Sequence, residues 1–321
     1  MNVLVTAIGS MSASSVIGSL NSLPATTVVG CDIHPGSWLP CANQVDICYQ
    51  VPRAHEVERY IQALADICVR HGVTHLLALT DPEVDVICAH RSLFDDLSVL
   101  VCLPDNACIE LCRDKLALFQ HFEHDPLITG IESHAITQWP SLRSPFPWLA
   151  KPRRGRSSEG VMRIEDRVDL EYALKKDSFR DHILQPFHRG SIHVVDVVRD
   201  ALSGKSSVIC RKELLRTSNG AGLSVALHAD PRLMTIASHI AQSISLHGCL
   251  NMEFIEQMDG YLLMDINPRF SAGVEFSRLA GYDVAINHLR CFNGQCIDGP
   301  VSYTEAIISR SYNETVLVLG E

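Results

Sequence analysis

No apolar run in this chain reaches the roughly 18 residues that a membrane-spanning helix requires. There is no positively charged and apolar leader at the start. The twelve cysteines form no CxxC pair and no Cys/His cluster at zinc spacing, so the expectation is a reducing cytoplasm with free thiols. Basic excess is missing as well. A net charge of −10 and a pI near 5.8 argue against nucleic acid as the main partner. The dinucleotide fingerprint is absent, because after Gly9 the chain runs Ser-Met-Ser-Ala-Ser-Ser. The Walker spacing with its Lys-Ser/Thr is absent too. No Ser-His-Asp or Cys-His arrangement is readable.

What is present is a chain of 321 residues, 46% of them apolar, enough for two or three domains with a sizeable core. It opens with a strand over 2–8, a helix over 11–23 and a strand over 27–31 that ends at Asp32. This β-α-β start predicts a Rossmann-like sheet that binds no dinucleotide, although Asp32 stands at about the distance of a ribose-binding acid. An amphipathic helix follows over 55–71, then strands over 73–79 and 98–103. Asp81-Pro82-Glu83 falls at the carboxyl end of a strand, where ligands sit in open α/β sheets. Asp81 is read equally as a helix cap or a substrate contact, with Glu83 beside it.

Residues 106–122 read as a helix containing Arg113-Asp114-Lys115. Strand 148–152 ends in Lys151-Pro152 and opens into RRGRSSEG, where Gly155 and Gly160 permit unusual backbone angles. Ser157, Ser158 and exposed amides there are donors for phosphate oxygens, so the loop is a candidate lid. A strand over 183–187, a strand over 191–199 and strands at 206–210 and 225–227 come next. Arg211–Gly222 between the last two reads as a basic, glycine-rich loop, and 231–248 as a helix.

The most informative stretch is 249–281. Strands over 250–256 and 261–266 are joined by Gln257-Met258-Asp259-Gly260, a hairpin turn. Alternation puts Asn251, Glu253 and Ile255 on one face, and Leu263, Asp265 and Asn267 on one face of the partner strand. Glu253, Asp265 and Asn267 would converge as hard oxygen ligands of the kind Mg²⁺ takes, and Arg269 can offer its fork to phosphate oxygens.

Strand–turn–strand followed by Asp-x-Asn-Pro-Arg resembles the metal-binding end of the ATP-grasp superfamily, in its carbamoyl-phosphate-synthetase-like branch of carboxylate–amine ligases. The family usually has Glu where this chain has Asp265. The resemblance spans about 2–292. It implies an α/β chain with a Rossmann-like amino-terminal domain at 1–105 and a two-lobed ATP-grasp domain at 106–321, the small lid lobe at about 115–186 and the large metal-binding lobe at about 187–321. It implies ATP and Mg²⁺, with Mn²⁺ as a substitute, and Glu253, Asp265 and Asn267 as the metal ligands. Lys115, Lys151, Ser157, Ser158 and Gly160 would serve the nucleotide, and Gln185, Pro186 and Phe187 would line the adenine edge. Gln185 stands where Glu is common, and the missing ribose acid leaves either Asp196 or water to hold the ribose. Arg211, Arg216 and Arg269 would attend the transferring phosphoryl group, and Asp81, Glu83, Ser271 and Gly273 the substrate.

The reaction so implied is ATP-dependent activation of a small carboxylate or amino acid as an acyl phosphate, which an amine or related nucleophile then takes, leaving ADP and phosphate. Partners would be small molecules, with no nucleic acid, no membrane and a homodimer left open. Two other classes remain from the sequence. One is a non-catalytic nucleotide-binding regulator, raised by Asp265 and the altered hinge. The other is an NAD(P)-dependent oxidoreductase, raised only by the first β-α-β unit and Asp32.

Overall fold

The computed structural model describes residues 1–141, 144–156, 159–299 and 305–317. Its first layer is a parallel sheet. Strands β1 (Asn2–Val5), β2 (Thr27–Asp32), β3 (Ile47–Gln50), β4 (His75–Leu77) and β5 (Leu100–Val101) lie in the order β3-β2-β1-β4-β5. Helices α1 (Ala13–Asn21), α2 (Val57–His71), α3 (Asp81–Ala89) and α4 (Arg91–Asp96) connect them. Parallel strands need such crossovers, and sheets covered on both faces read as continuous apolar runs, as Val3, Leu4 and Val5 do. Helix α2 keeps Tyr60, Ile61, Leu64 and Cys68 buried at helical spacing and stops at Gly72, whose φ of 54° few other residues adopt.

The expected helix over 106–122 is two helices, α5 (Asn106–Arg113) and α6 (Lys115–Phe122). Asp114 breaks it with an extended backbone and accepts from the amides of Leu116 and Ala117, both at 3.1 Å, so it caps the second helix. The apolar pattern runs across the break, which hides it from periodicity.

Strand β6 (Thr129–Gly130) precedes the lid sheet, made of β7 (His134–Ala135), β8 (Trp148–Pro152), β9 (Met162–Ile164) and β10 (His182–Pro186) in the order β7-β10-β8-β9. Helix α7 (Arg167–Leu174) covers it, capped by Asp166, and Trp148, Ala150, Ile164 and Leu184 form its small core. The lid sheet therefore begins later than the expected 115. Leu118, Phe122 and Ile128 pack instead into the core of the large sheet.

That sheet runs β16-β13-β12-β11-β14-β15-β6 among the described residues. Its strands are β11 (Ile192–Arg199), β12 (Ser206–Arg216), β13 (Gly222–Leu227), β14 (Gly248–Gln257), β15 (Gly260–Asn267) and β16 (Ala306–Ser309), together with β6. Helix α8 (Pro231–Ser243), capped by Asp230, packs on one face. Helices α9 (Val274–Leu279) and α10 (Val284–Phe292) fill the space between this sheet and α1, so the amino-terminal domain and the large lobe share a core. His288 of α10 ties the two together. Its Nδ1 accepts from the Cys249 amide at 2.9 Å and its Nε2 donates to the Cys102 carbonyl at 3.0 Å.

Residues 211–216 are not a loop. They continue β12, paired with β13 through a bulge near Leu215. The alternation of Ile209, Arg211 and Glu213 against Val208, Cys210 and Lys212 carries the strand on, and the glycine-rich turn starts only after Arg216. No helix among the described residues is long and apolar enough to cross a membrane. None of the twelve cysteines forms a disulfide.

Candidate active site

The three layers enclose a cavity of about 900 Å³. Its floor is one face of the large sheet, and register fixes what it presents. Arg211 pairs with Val194, Val194 with Glu253 and Glu253 with Asp265, so one row crosses four strands. In the adjacent row Asp196, Asn251 and Asn267 lie side by side. The expected convergence of Glu253, Asp265 and Asn267 is present.

One detail differs. A bulge beside Glu253 puts Phe254 opposite Leu263 and leaves Met264 as the extra residue. Leu263 is thereby turned into the core with Phe254, while Met264 reaches the cavity. Alternation alone assigned Leu263 to the site face, because a bulge inverts the phase of everything beyond it.

Each acid of the row is held by a cation. Arg216 Nη2 donates to Glu253 Oε2 at 2.7 Å, and Lys115 Nζ stands 3.3 Å from Asp265 Oδ2. Both cations also donate to glycine-loop carbonyls, Arg216 Nε to Gly220 at 2.9 Å and Lys115 to Gly155 at 3.1 Å. Arg113, two residues before Lys115, is instead committed to Asp85 and Asp81. Lys151 faces the cavity from β8 with no hydrogen bond among the described residues. Burial pushes its ammonium pKa down, Asp265 and Glu253 pull it back up, and Lys115 adds to the fall.

Arg211 is almost wholly buried. Nη1 donates to Asp196 Oδ2 at 2.7 Å and Nη2 to Ser271 Oγ at 3.1 Å. Asp196 also accepts from Ser277 and Asn251. Asp196 is thus a core group 2% exposed and does not take the place of a ribose acid. Its burial raises the carboxyl pKa, but the Arg211 guanidinium and these hydrogen bonds bring it below the usual range. Gly273 leaves room for this arrangement, since a Cβ there would come to 3.0 Å from Arg211 Nη2.

Arg269 does not point freely at a phosphate position. It forms a two-pronged pair with Asp81, Nε to Oδ1 and Nη2 to Oδ2, each 3.0 Å. Asp81 is therefore a tie between domains, while Thr80 takes the cap position of α3. Glu83 is buried on the cavity wall and accepts from Thr6, Thr80 and Tyr60. Burial raises its pKa against those three hydroxyls. Asp32 is likewise in use: Oδ2 accepts from the Gly9 amide at 2.8 Å and Oδ1 from His34 at 2.9 Å, which closes the first β-α turn.

At the hinge, Gln185 Nε2 donates to Ser133 Oγ at 2.9 Å, and its Oε1 is buried without a partner. It lines a small recess beside Phe119, Phe122, Ile131 and Met264. Pro186 ends β10 opposite Trp148. The Phe187 amide is bonded to Pro147 at 3.0 Å, so that donor is not available to a ligand edge, and the Arg163 guanidinium lies 4.4 Å from the Phe187 ring centre. Gly160 has a φ of 70° and its carbonyl meets His182. Ser157 and Ser158 lie outside the described residues. Among the described residues no three His, Cys, Asp or Glu side chains form a metal cluster, which leaves two carboxylates and an amide as the donor set. Sequence reasoning placed Asn251 on the site face without giving it a role and missed Glu213 and Met264; reading 211–216 as strand would have found Glu213.

Comparison with known proteins adds to this geometry. Residues 178–315 match the model for ATP-grasp in the biosynthetic pathway with Ter operon, and residues 3–102 the PylC-like N-terminal domain. No curated protein matches the chain. Among solved structures, Rhizobium etli pyruvate carboxylase is similar with a TM-score of 0.77 and 14% identity, over 92% of this chain and 29% of that one. The chain thus spans less than a third of that enzyme. The biotin carboxylase domain of Hydrogenobacter thermophilus 2-oxoglutarate carboxylase, solved with MgADP and bicarbonate, gives 0.77 and 16% over 95% and 73%. Bacillus licheniformis L-amino acid ligase gives 0.70 and 14% over 91% and 74%. At such identities the likeness is one of fold. The family matches are to parts of the chain, an ATP-grasp segment at 178–315 that follows a PylC-like amino-terminal segment at 3–102.

Proposed function

We propose that the protein is an ATP-dependent carboxylate–amine ligase that forms ADP and phosphate through an acyl phosphate. The observation that carries this reading is the row Arg211–Val194–Glu253–Asp265 on a cavity floor, with Lys115, Lys151 and Arg216 above it. Phosphoryl transfer needs positioning and charge neutralisation more than covalent chemistry, and the site offers that. The MgADP in the 2-oxoglutarate carboxylase domain and the amino-acid substrates named for the Bacillus licheniformis ligase support the same direction.

Glu253, Asp265 and Asn267 fit a magnesium ion by donor chemistry: two facing carboxylates and an amide oxygen, with phosphate oxygens and water to complete the shell. The ion would neutralise charge on the phosphates, and Mn²⁺ would serve as a substitute. Lys151, Lys115 and Arg216 would bind phosphate oxygens. Gln185 Oε1, a buried acceptor lacking a donor, suits the exocyclic amine of adenine. Arg211 bonds Ser271 and packs close to Gly273, next to which the reacting carboxylate would lie. The Asp81–Arg269 tie fixes the wall opposite. The cytoplasm is the proposed compartment, and a homodimer is the assembly that a size measurement would test.

The test is a screen for ADP release with Mg-ATP over amino acids and other small carboxylates, with and without amines. ADP formation that requires both a carboxylate and an amine is the expected result. Nucleotide binding with no turnover across the screen would favour the non-catalytic regulator instead.

A further inference from the structure

The carboxylates around the cavity are nearly all engaged. Asp32 accepts two amides, Glu83 three hydroxyls, and Asp81, Glu253 and Asp265 are held by Arg269, Arg216 and Lys115. Glu159 stands exposed on the lid loop. Glu213 differs from all of these. Its side chain is 3% exposed, yet Oε2 has no hydrogen-bond partner. Its nearest cation is Arg211, with Nε 3.6 Å from Oε1, beyond hydrogen-bond reach, and that Nε is unpartnered too. A buried acceptor left without a donor costs about 1–3 kcal/mol, so its retention beside a reacting centre calls for a use.

Position narrows the use. Glu213 lies two residues beyond Arg211 on the same face of β12, one row along from Glu253 and Asp265. It lines the cavity, and Gly222 of β13 lies against its carboxylate, where any side chain at 222 would collide with Oε2. Arg211 and Arg216 on its own strand, Glu253 on β14, Asp196 on β11 and Arg310 beyond β16 are the charges that face it.

We propose that Glu213 receives the amine of the second substrate and takes the proton its nitrogen loses on acylation. The assignment rests on the ligase reading above. In the step, the lone pair of the neutral amine forms the C–N bond with the acyl carbon. The bond from that carbon to the phosphate oxygen breaks, and phosphate leaves with the electron pair. The proton shed by nitrogen goes to the Glu213 carboxylate. A carboxylate at this point favours an amine over an anionic nucleophile such as a thiolate or phosphate. Burial raises the proton affinity of Glu213, opposed by Arg211 and Arg216, which is the direction a proton acceptor needs.

Hydroxylamine separates the parts, because it is neutral and strongly nucleophilic at pH 7 and needs little help in losing its proton. Wild type and Glu213→Gln are incubated with Mg-ATP, each of the common amino acids as carboxylate, and either hydroxylamine or an amine set of ammonium, ethylamine and the same amino acids. Both proteins should form hydroxamate at rates within about threefold, while amide formation falls by about a hundredfold or more in the variant. Added formate should restore part of the amide rate in Glu213→Ala. Hydroxamate and amide falling together, without formate rescue, would assign Glu213 a structural part and overturn the proposal, as would an unchanged amide rate. Wild type that makes hydroxamate but no amide with any of these amines would count against it too. Wild type that makes no hydroxamate with any amino acid would remove the ligase reading, and this assignment with it.

Discussion

Arg269 and Asp81 are 188 residues apart, and their side chains meet in a two-pronged pair with both contacts at 3.0 Å. Asp81 starts α3 in the amino-terminal domain and Arg269 follows β15, so the pair closes one wall of the cavity across the domain boundary. Burial raises the Asp81 carboxyl, but Arg269 and Arg113 bring it below its usual range. Asp81→Ala leaves two guanidinium groups facing each other without their shared counter-ion. We expect a loss of about 3 kcal/mol in urea unfolding at pH 7. Because the folded pKa is depressed, the pair's contribution is present above the ordinary carboxylate range and fades as pH falls through the folded value. A stability unchanged within error would show that the tie is dispensable.

On the proposed reading, the two cations on the acidic row would make metal and nucleotide depend on one another. Lys115 and Arg216 neutralise Asp265 and Glu253, and phosphate oxygens would draw them away. Wild type should bind Mn²⁺ weakly alone and at least about tenfold more tightly with ADP, with reciprocal strengthening of ADP by Mn²⁺. Lys115→Met and Arg216→Leu should bind Mn²⁺ alone more tightly than wild type does. Electron paramagnetic resonance of free Mn²⁺ reads both, and equal Mn²⁺ affinity in wild type and variants would refute the exchange.

Gln185 Oε1 is buried without a partner, while one hydrogen of its amide goes to Ser133, so on the proposed reading that oxygen would take the adenine amine. ATP should therefore bind better than ITP, which carries an oxygen in place of the amine. Gln185→Leu should erase that preference, worth about 1–2 kcal/mol, in competition binding. A preference that survives the substitution would place the base elsewhere.

His288 gives the shared core a pH dependence. Burial pushes its pKa down to about 4, against the donation to the Cys102 carbonyl. Between an unfolded value near 6.5 and that folded value, the unfolded chain binds a proton that the folded one refuses, so stability falls as pH falls. The loss across that window is about 3 kcal/mol for this group. His288→Gln should flatten the slope between pH 6.5 and 4.5 in denaturant titrations, and parallel slopes in the two proteins would show that other groups set it.

The hairpin 248–267 was legible because Asp259-Gly260 marks the turn and alternation marks the strands, so Glu253 and Asp265 met as their spacing said. The bulge at Met264 was not, since an extra residue leaves no compositional trace and only inverts phase. Glycine and serine at 218–222 masked the end of β12, and with it Glu213 and the buried setting of Arg211. The Arg269–Asp81 and Arg216–Glu253 pairs are long-range contacts between charges that a single sequence presents as surface groups. Arg269 accordingly read as a free phosphate ligand, and Asp196 as a reachable acid, when each had a partner that only folding supplies.

The most direct test of the account is calorimetric titration of Mg-ADP into wild type, Asp265→Asn and Asp259→Asn. Asp265 lies in the acidic row, whereas Asp259 lies in the hairpin turn. Both substitutions remove one negative charge from the same hairpin. The account predicts that Asp259→Asn binds as wild type does, while Asp265→Asn binds at least about tenfold more weakly, or about 1.4 kcal/mol. Equal affinity in all three proteins would contradict the metal assignment.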